Sequence, residues 1–323
     1  MTDVLLSVRD LRTTFQRDGE VLTAVDGVTF EVHPGQALAI VGESGSGKSV
    51  TVRSVMRVLP KTARVTSGEA RFGGRDLLAL SEKDMRRIRG REIGMVFQSA
   101  MEAMNPTLTL ERQLTEHLLW HGLCTKAEAG KRAVRALGDV GIPEPEKRIR
   151  TYPFQLSGGM RQRAMIAMAM VTEPALLIAD EPTTAVDVTV QRQILDLLAG
   201  LKERGTGIIM ITHDLGVARY FCDDAVVMYA GRVVEQAPTR ELLDLPLHPY
   251  TVGLVGSSVE VGGRGRPLAP IPGSPPDLAR RPEGCSFQPR CARAERPRCH
   301  TEQDILTIGP GRQAACWKAA ADV

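Results

Sequence analysis

The sequence predicts an α/β fold with a largely parallel sheet, and three observations carry that expectation. Short apolar runs alternate with longer amphipathic stretches as far as about Tyr250, the pattern of strand and crossover helix. One run, Ala37-Leu38-Ala39-Ile40-Val41, leads directly into Gly42-Glu43-Ser44-Gly45-Ser46-Gly47-Lys48-Ser49, which fits the phosphate-loop spacing G-x-x-x-x-G-K-[ST]. Three further apolar runs each end in a polar residue suited to phosphate chemistry: Gln98, the pair Asp180-Glu181, and His213.

At 323 residues the chain has room for one large domain and a smaller one, each with a core. The formal net charge of +3 is too small to argue for wholesale nucleic-acid binding. No apolar run approaches the ~18 residues needed to cross a bilayer. The opening residues, Met1 to Arg9, have neither a basic leader nor a long apolar stretch, which predicts a cytosolic address. There is no internal repeat.

Taken in order, the run 37–41 reads as a buried strand, and Ser49 to Leu59 as a helix stopped before Pro60. Between them, the backbone amides of Gly42, Ser44, Gly45 and Gly47 can curl around phosphate oxygens, and the helix N-terminus adds its dipole. Lys48 would reach the β- and γ-phosphates, and the Ser49 hydroxyl would ligate Mg²⁺. The strand Ile93 to Phe97 ends at Gln98, Ala175 to Ala179 at Asp180-Glu181, and Gly207 to Thr212 at His213. In an open parallel sheet ligands bind beyond the carboxyl ends of strands, so these side chains are expected to converge on one crevice. Asp180 supplies a hard oxygen for Mg²⁺, Glu181 orients or deprotonates the attacking water, Gln98 senses metal and water, and His213 donates to the γ-phosphate. Residues from about 101 to 165 read as mostly helical, for example Lys126 onward to Val140, and so as a helical insertion.

Leu156-Ser157-Gly158-Gly159-Met160-Arg161-Gln162-Arg163 narrows the field. Ser157 and the Gly158-Gly159 amides cap the helix that follows and make a second anion-binding helix end. This stretch resembles the signature motif of ATP-binding cassette (ABC) ATPases, placed as in that family between the phosphate loop and the acidic pair. The resemblance implies a phosphate-loop, RecA-like core with an antiparallel β-subdomain and a helical insertion. It implies that the signature faces the γ-phosphate bound to a partner cassette, so that two nucleotides are sandwiched between two subunits. It places an adenine-stacking aromatic at Phe15 and a loop at Thr184-Ala185-Val186-Asp187-Val188, whose Asp187 contacts the facing subunit. Met160 stands where glutamine is commoner, a departure usual in one subfamily.

That subfamily is the oligopeptide/dipeptide importers, and the resemblance extends through His248-Pro249-Tyr250-Thr251, Ile271-Pro272-Gly273 and Gly284-Cys285-Ser286-Phe287-Gln288-Pro289-Arg290-Cys291. It implies a nucleotide-binding domain over 1–250 and a C-terminal extension over 251–323. It also implies a second ABC ATPase subunit, two transmembrane permease subunits, an extracytoplasmic solute-binding protein, no nucleic acid, and a peripheral place on the cytoplasmic face of the membrane. Peptide is the expected cargo, with nickel, opines or sugars as alternatives. A soluble ABC ATPase of DNA repair or translation is the competing class, but such chains usually carry two cassettes or a long coiled coil, and neither is present. A redox-sensing binding module is a third, opposed by the intact Glu181 and signature.

Beyond 250 the texture turns to Gly, Pro and Arg, which predicts linker and irregular structure. Of six cysteines, Cys285, Cys291, Cys299 and Cys316 fall in the last forty residues, while Cys124 and Cys222 read as ordinary small residues. In a reducing compartment the group suggests metal or cluster ligation before disulfides. Paired Cys-x₂-Cys knuckles are absent, so zinc is the alternative, and the resemblance to related importers implies a [4Fe–4S] cluster. The tail arginines Arg264, Arg266, Arg280, Arg281, Arg290, Arg293, Arg296 and Arg298 suit either an anionic partner surface or local ion pairing.

Overall fold

The computed structural model describes residues 4–17, 19–183, 187–258 and 269–319. Thr184, Ala185 and Val186 of the loop after the acidic pair, and the linker Val261 to Pro267 with Arg264 and Arg266, lie outside the described residues. The strands in chain order are β1 (Leu6–Arg17), β2 (Glu20–Val32), β3 (Ala37–Val41), β4 (Ala63–Phe72), β5 (Arg75–Asp76), β6 (Ile93–Val96), β7 (Leu176–Asp180), β8 (Gly207–Ile211), β9 (Asp224–Tyr229), β10 (Arg232–Pro238), β11 (Leu306–Gly309) and β12 (Arg312–Ala314). Two compact units emerge, one formed by His33–Gln36 with Leu80–Met210, the other by Thr2–Val32, Ala37–Ala79 and Ile211–Val323.

The first unit holds strands in the order β8-β7-β6, with β6 and β7 parallel in the register Ile93↔Leu176 to Val96↔Ala179. Every residue of β7 and β8 is buried, which is why both read as unbroken apolar runs rather than as alternating ones. Its longer helices start on side chains that accept from the first free amides: Thr109 before Leu110–Trp120, Thr125 before Lys126–Asp139, Ser157 before Gly158–Met170 and Asp187 before Val188–Glu203. On Lys126–Asp139 the buried residues Ala129, Ala133 and Leu137 recur every four positions, one stripe of an amphipathic helix. Helical structure therefore runs from Ala100 and, through the signature helix, on to Met170, a few residues beyond the predicted 101–165.

The second unit contains an antiparallel sheet ordered β2-β1-β4-β5, the β-subdomain that the family resemblance implies. A further set of strands runs β11-β12-β10-β9-β3, with β3 parallel to β9 and the others antiparallel. The helix after the phosphate loop spans Lys48–Val55, shorter than the predicted Ser49 to Leu59. Arg57 takes a left-handed φ of 52° and the Val58 amide reaches back to the Arg53 carbonyl at 3.0 Å, a Schellman-type stop that Pro60 had seemed to supply. The C-terminal extension is also more ordered than its composition predicts. Three short 3₁₀ turns at Leu278–Arg280, Gln288–Arg290 and Arg298–His300 lead into the β11–β12 hairpin, which adds to β10 through Glu235↔Ala314 and Gln236↔Gln313.

A buried acid helps hold this unit together. Asp26 on β2 accepts from Arg12 of β1, from Arg232 Nε of β10 at 2.7 Å and from Arg281 Nη1 of the extension at 2.7 Å. Burial pushes its pKa up, but the Arg232 hydrogen bond and the charges of Arg232, Arg281 and Arg12 outweigh this and hold the carboxyl below its ordinary value.

Candidate functional site

The phosphate loop belongs to the second unit. It follows the wholly buried β3 and depends on glycine where the chain comes closest to its neighbours. Gly42 has φ 148°, and a Cβ there would sit 2.2 Å from the Met228 carbonyl oxygen; Gly47 has φ 101°, with the Ala24 carbonyl 2.6 Å from its notional Cβ. Neither position can take a side chain without displacing backbone. The loop is also closed on itself: the Gly231 amide donates to the Ser46 carbonyl at 2.9 Å, and Lys48 Nζ donates to the carbonyls of Gly42 at 2.7 Å and Glu43 at 2.9 Å. The helix from Lys48 has no acidic residue in its first turn, so its amide end stays electropositive. Ser44 and Gly45 are exposed at the loop tip, and Ser49 is half-buried beside the buried Lys48.

Two other predicted residues lie in this unit. His213 is exposed immediately after Thr212, whose amide donates to the Ile40 carbonyl at 3.3 Å. The next residue, Asp214, caps the helix Leu215–Phe221 by accepting from the Val217 amide at 3.0 Å. Phe15 is half-buried on β1, opposite Leu22 on one side and Ala63 on the other.

The acidic pair and the signature belong to the first unit. Asp180 is fully buried as the last residue of β7, and the neighbouring Glu181 turns into a left-handed φ of 50°. That turn separates the two carboxylates in role: one is held at the strand end, the other is carried by the loop. Glu181 Oε2 accepts from Gln98 Nε2 at 3.1 Å, so the structure brings together two residues that sequence reasoning assigned to one reaction. Ser157 Oγ accepts from the Met160 amide at 3.3 Å as the helix cap. Gly158 has open space around its Cα, and Gly159 meets only the Val190 side chain, leaving this helix end accessible. Within the same motif Gln162 is buried and donates to the Pro182 carbonyl at 2.8 Å, tying the signature helix to the chain just beyond Glu181. Asp187 Oδ1 accepts from the Val190 amide at 2.8 Å and so caps the next helix.

In the extension, Cys285, Cys291, Cys299 and Cys316 line one pocket with Phe287 and Trp317. Burial pushes the thiols of Cys285, Cys291 and Cys316 up, Cys285 to about 11. Among the described residues no group of three or more His, Cys, Asp or Glu is disposed to hold a metal ion. The tail arginines divide: Arg281 and Arg290 are drawn into ion pairs with Asp26 and Glu43, and Arg298 lies over the Trp317 ring at 4.6 Å. For Arg281 and Arg290 the local-pairing reading holds, while Arg298 stays exposed.

Sequence reasoning missed what grips Glu43. Its amide donates to the Tyr250 hydroxyl at 2.8 Å, and its carboxylate accepts from both arms of Arg290 at 2.7 and 3.0 Å. The only signal was an arginine among many and a tyrosine that served to mark a subfamily.

A phosphate loop at the end of a buried parallel strand, a buried aspartate followed by a half-buried glutamate, and a serine-capped Gly-Gly helix define an ATP-binding cassette ATPase. The ABC transporter family model matches residues 25–184, and the model of the oligopeptide/dipeptide transporter C-terminal region matches residues 234–299. The chain belongs to the ABC transporter family, in the branch whose ATP-binding proteins carry that C-terminal region. It is 50% identical over 98% of its length to a probable peptide ABC transporter ATP-binding protein, y4tR, of Sinorhizobium fredii, covering 96% of that protein. It is 48% identical over 98% of its length to the oligopeptide transport ATP-binding protein OppD of Salmonella typhimurium, covering 94% of it. It is 49% identical over 89% of its length to the dipeptide transport ATP-binding protein DppD of Bacillus subtilis, covering 86% of it. Among solved structures, the cassette MJ0796, in a dimeric post-hydrolysis state bound to ADP and Pi, aligns with a TM-score of 0.67 at 29% identity, covering 73% of this chain and 99% of that one.

Proposed function

We propose that this chain is the ATP-hydrolysing motor of a di- or oligopeptide importer. The observation that carries the reading is the near full-length similarity to peptide-transport ATP-binding proteins, continued through the C-terminal region. The domain division proposed is a cassette over 1–250 and an extension over 251–323.

In this reading the amides of the loop 42–49 and Lys48 hold the β- and γ-phosphates. Ser49, the buried Asp180 and Gln98, all hard oxygen donors, would hold Mg²⁺, which when bound would supply charge neutralisation at the phosphoryl oxygens. Glu181 orients the water and accepts its proton; the Gln98 amide bonded to it fixes the carboxylate. His213 donates to the γ-phosphate and Phe15 stacks on adenine. Ser157, Gly158 and Gly159 present the open helix end to the nucleotide of a second cassette, and Asp187 contacts that subunit. Hydrolysis is therefore a property of the assembled pair.

The other partners proposed are two permease subunits and an extracytoplasmic solute-binding protein. A groove in the first unit lined by Ala103, Leu108, His117, Trp120 and His121, with exposed Met101 near its start, suits an entering permease helix. Among the described residues no helix is long and apolar enough to cross a membrane; the similarity to peptide-transport ATP-binding proteins supports a peripheral place on the cytoplasmic face. The four tail cysteines, sharing one pocket, are proposed to hold a [4Fe–4S] cluster that braces the extension. Iron and sulfide analysis after anaerobic purification tests this, and a colourless, iron-free protein refutes it; stoichiometric zinc would restore the alternative.

The experiment for the whole reading is the ATPase rate of the reconstituted complex with its binding protein, measured against peptides, nickel chelates and sugars. Peptide stimulation that disappears in Glu181→Gln is expected. Turnover indifferent to every ligand and to the binding protein overturns import.

A further inference from the structure

The loop that cradles phosphates is held in place from the far end of the chain. Glu43 occupies a variable position of G-x-x-x-x-G-K-[ST], so the motif itself asks nothing of its side chain. Yet three of its groups are engaged. Its amide donates to the Tyr250 hydroxyl at 2.8 Å, its carbonyl accepts from Lys48 Nζ at 2.9 Å, and its carboxylate receives the Arg290 fork at 2.7 and 3.0 Å. Tyr250 is fully buried and Arg290 nearly so. Arg290 is itself fixed: Nε donates to the Pro272 carbonyl at 2.8 Å, Nη1 to the Tyr229 hydroxyl at 3.3 Å, and the guanidinium lies over the Tyr229 and Phe287 rings at 5.8 and 5.9 Å. Both Tyr250 and Arg290 lie beyond residues 25–184, the span matched by the ABC transporter model.

We infer that Arg290 and Tyr250 are positioning residues of the nucleotide site, which hold Glu43 so that the loop's amides stay aimed at phosphate and its carboxylate stays neutralised. Two physical reasons converge. A phosphate cradle works through backbone amides whose directions must be set before the ligand arrives. A carboxylate inside that loop would repel the ATP polyanion unless a cation is fixed upon it, and a planar guanidinium held by two rings and a carbonyl does so with defined geometry. The extension is thus part of the ATP site of this chain.

The inference rests on the loop 42–49 binding ATP, and the test separates the two. ATP affinity is measured by calorimetric titration on the full chain, with thermal unfolding of the same samples and the KM and kcat of the assembled complex. Arg290→Met leaves the Glu43 charge unpaired and is expected to weaken ATP binding and raise KM about tenfold, with kcat within about twofold, a coupling of ordinary size for groups in contact. Arg290→Lys, which keeps the charge without the fork, gives an intermediate loss and guards against a variant that does not fold. Glu43→Gln strands the Arg290 cation instead, which lowers Tm, but it costs less ATP affinity than Arg290→Met because a cation beside the loop attracts the polyanion rather than repelling it. The double variant binds ATP better than Arg290→Met alone, a rescue that a merely structural arginine does not give. Losses that simply add, or a lower Tm with unchanged ATP affinity, overturn the inference while leaving the loop assignment intact. A wild-type chain that binds no ATP overturns both.

Discussion

Replacing Asp26 by asparagine isolates the charge that gathers three arginines. The side chains of Arg12 and Arg232 are 46% and 34% exposed, and Arg232 keeps a second partner in Glu302 at 2.9 Å, so water and Glu302 compensate both. Among the described residues Arg281, at 15%, keeps only a neutral partner, the Thr23 carbonyl to which its Nη2 donates, and no second carboxylate. Breaking a buried ion pair by removing one partner costs about 3–5 kcal/mol, and the residual exposure of this one reduces the expected loss to about 2–3 kcal/mol. With an unfolding entropy of roughly 2.1 cal/mol/K per residue, a chain of 323 residues loses about 3–4 °C in Tm. The assay is calorimetry at neutral pH on Asp26→Asn, Arg281→Met and the double variant. The double loss should fall short of the sum, because the second substitution removes the stranded cation. The pH sign follows from the depressed folded pKa. The contribution is complete above the ordinary value of 3.8 and is lost as pH falls through the lower folded value, so wild type and Asp26→Asn converge in strong acid. A Tm within 1 °C of wild type, or strictly additive losses, refutes this account of the cluster.

Other expectations can be checked alongside. His248 is fully buried, its Nδ1 accepts from the Tyr250 amide at 3.0 Å, and burial lowers its pKa to about 3. The native state therefore refuses a proton that the unfolded chain binds, and stability drops as pH falls from about 6.5 toward 3, by roughly 4–5 kcal/mol at the end of that range. His248→Asn, which keeps an acceptor but does not titrate, should flatten the denaturation-versus-pH curve there. Gly47→Ala must place a Cβ 2.6 Å from the Ala24 carbonyl at φ 101°; ATP binding measured by titration should fall by more than about tenfold as the loop is forced open. Ser157→Ala removes the cap to Met160, which costs the helix about 1 kcal/mol. The assembled complex should lose far more turnover than that figure explains, and an unchanged ATPase rate would remove the signature from the site.

The parts of the site that were legible in the sequence are those in which local chain geometry dictates residue type. Gly42 and Gly47 sit at left-handed or extreme φ against carbonyls, Ser157 caps a helix, and Asp180 closes a strand buried along its whole length; each leaves a trace within a few neighbouring residues. What was not legible depends on partners far away. Arg290 meets Glu43 across 247 positions and Arg281 meets Asp26 across 255, and no pattern in a Pro- and Arg-rich tail marks which arginine will be buried. The β11–β12 hairpin is of the same kind, since its reason is the edge of β10 and not its own propensity. The early end of the Lys48–Val55 helix was local but misattributed: Pro60 drew attention from the left-handed turn at Arg57.

The grip on Glu43 has a consequence for how the chain is made. Ribosomes add roughly 5–20 residues per second, so the 247 positions between loop and arginine correspond to roughly 12–50 s of synthesis. Throughout that interval the nucleotide loop lacks its arginine, and for most of it also lacks the strand carrying Met228 and its tyrosine, which lies 207 positions from Glu43. On the inference drawn above, the loop reaches its full affinity for nucleotide only when Arg290 has emerged, so a product truncated before that residue should bind ATP more weakly than the whole chain.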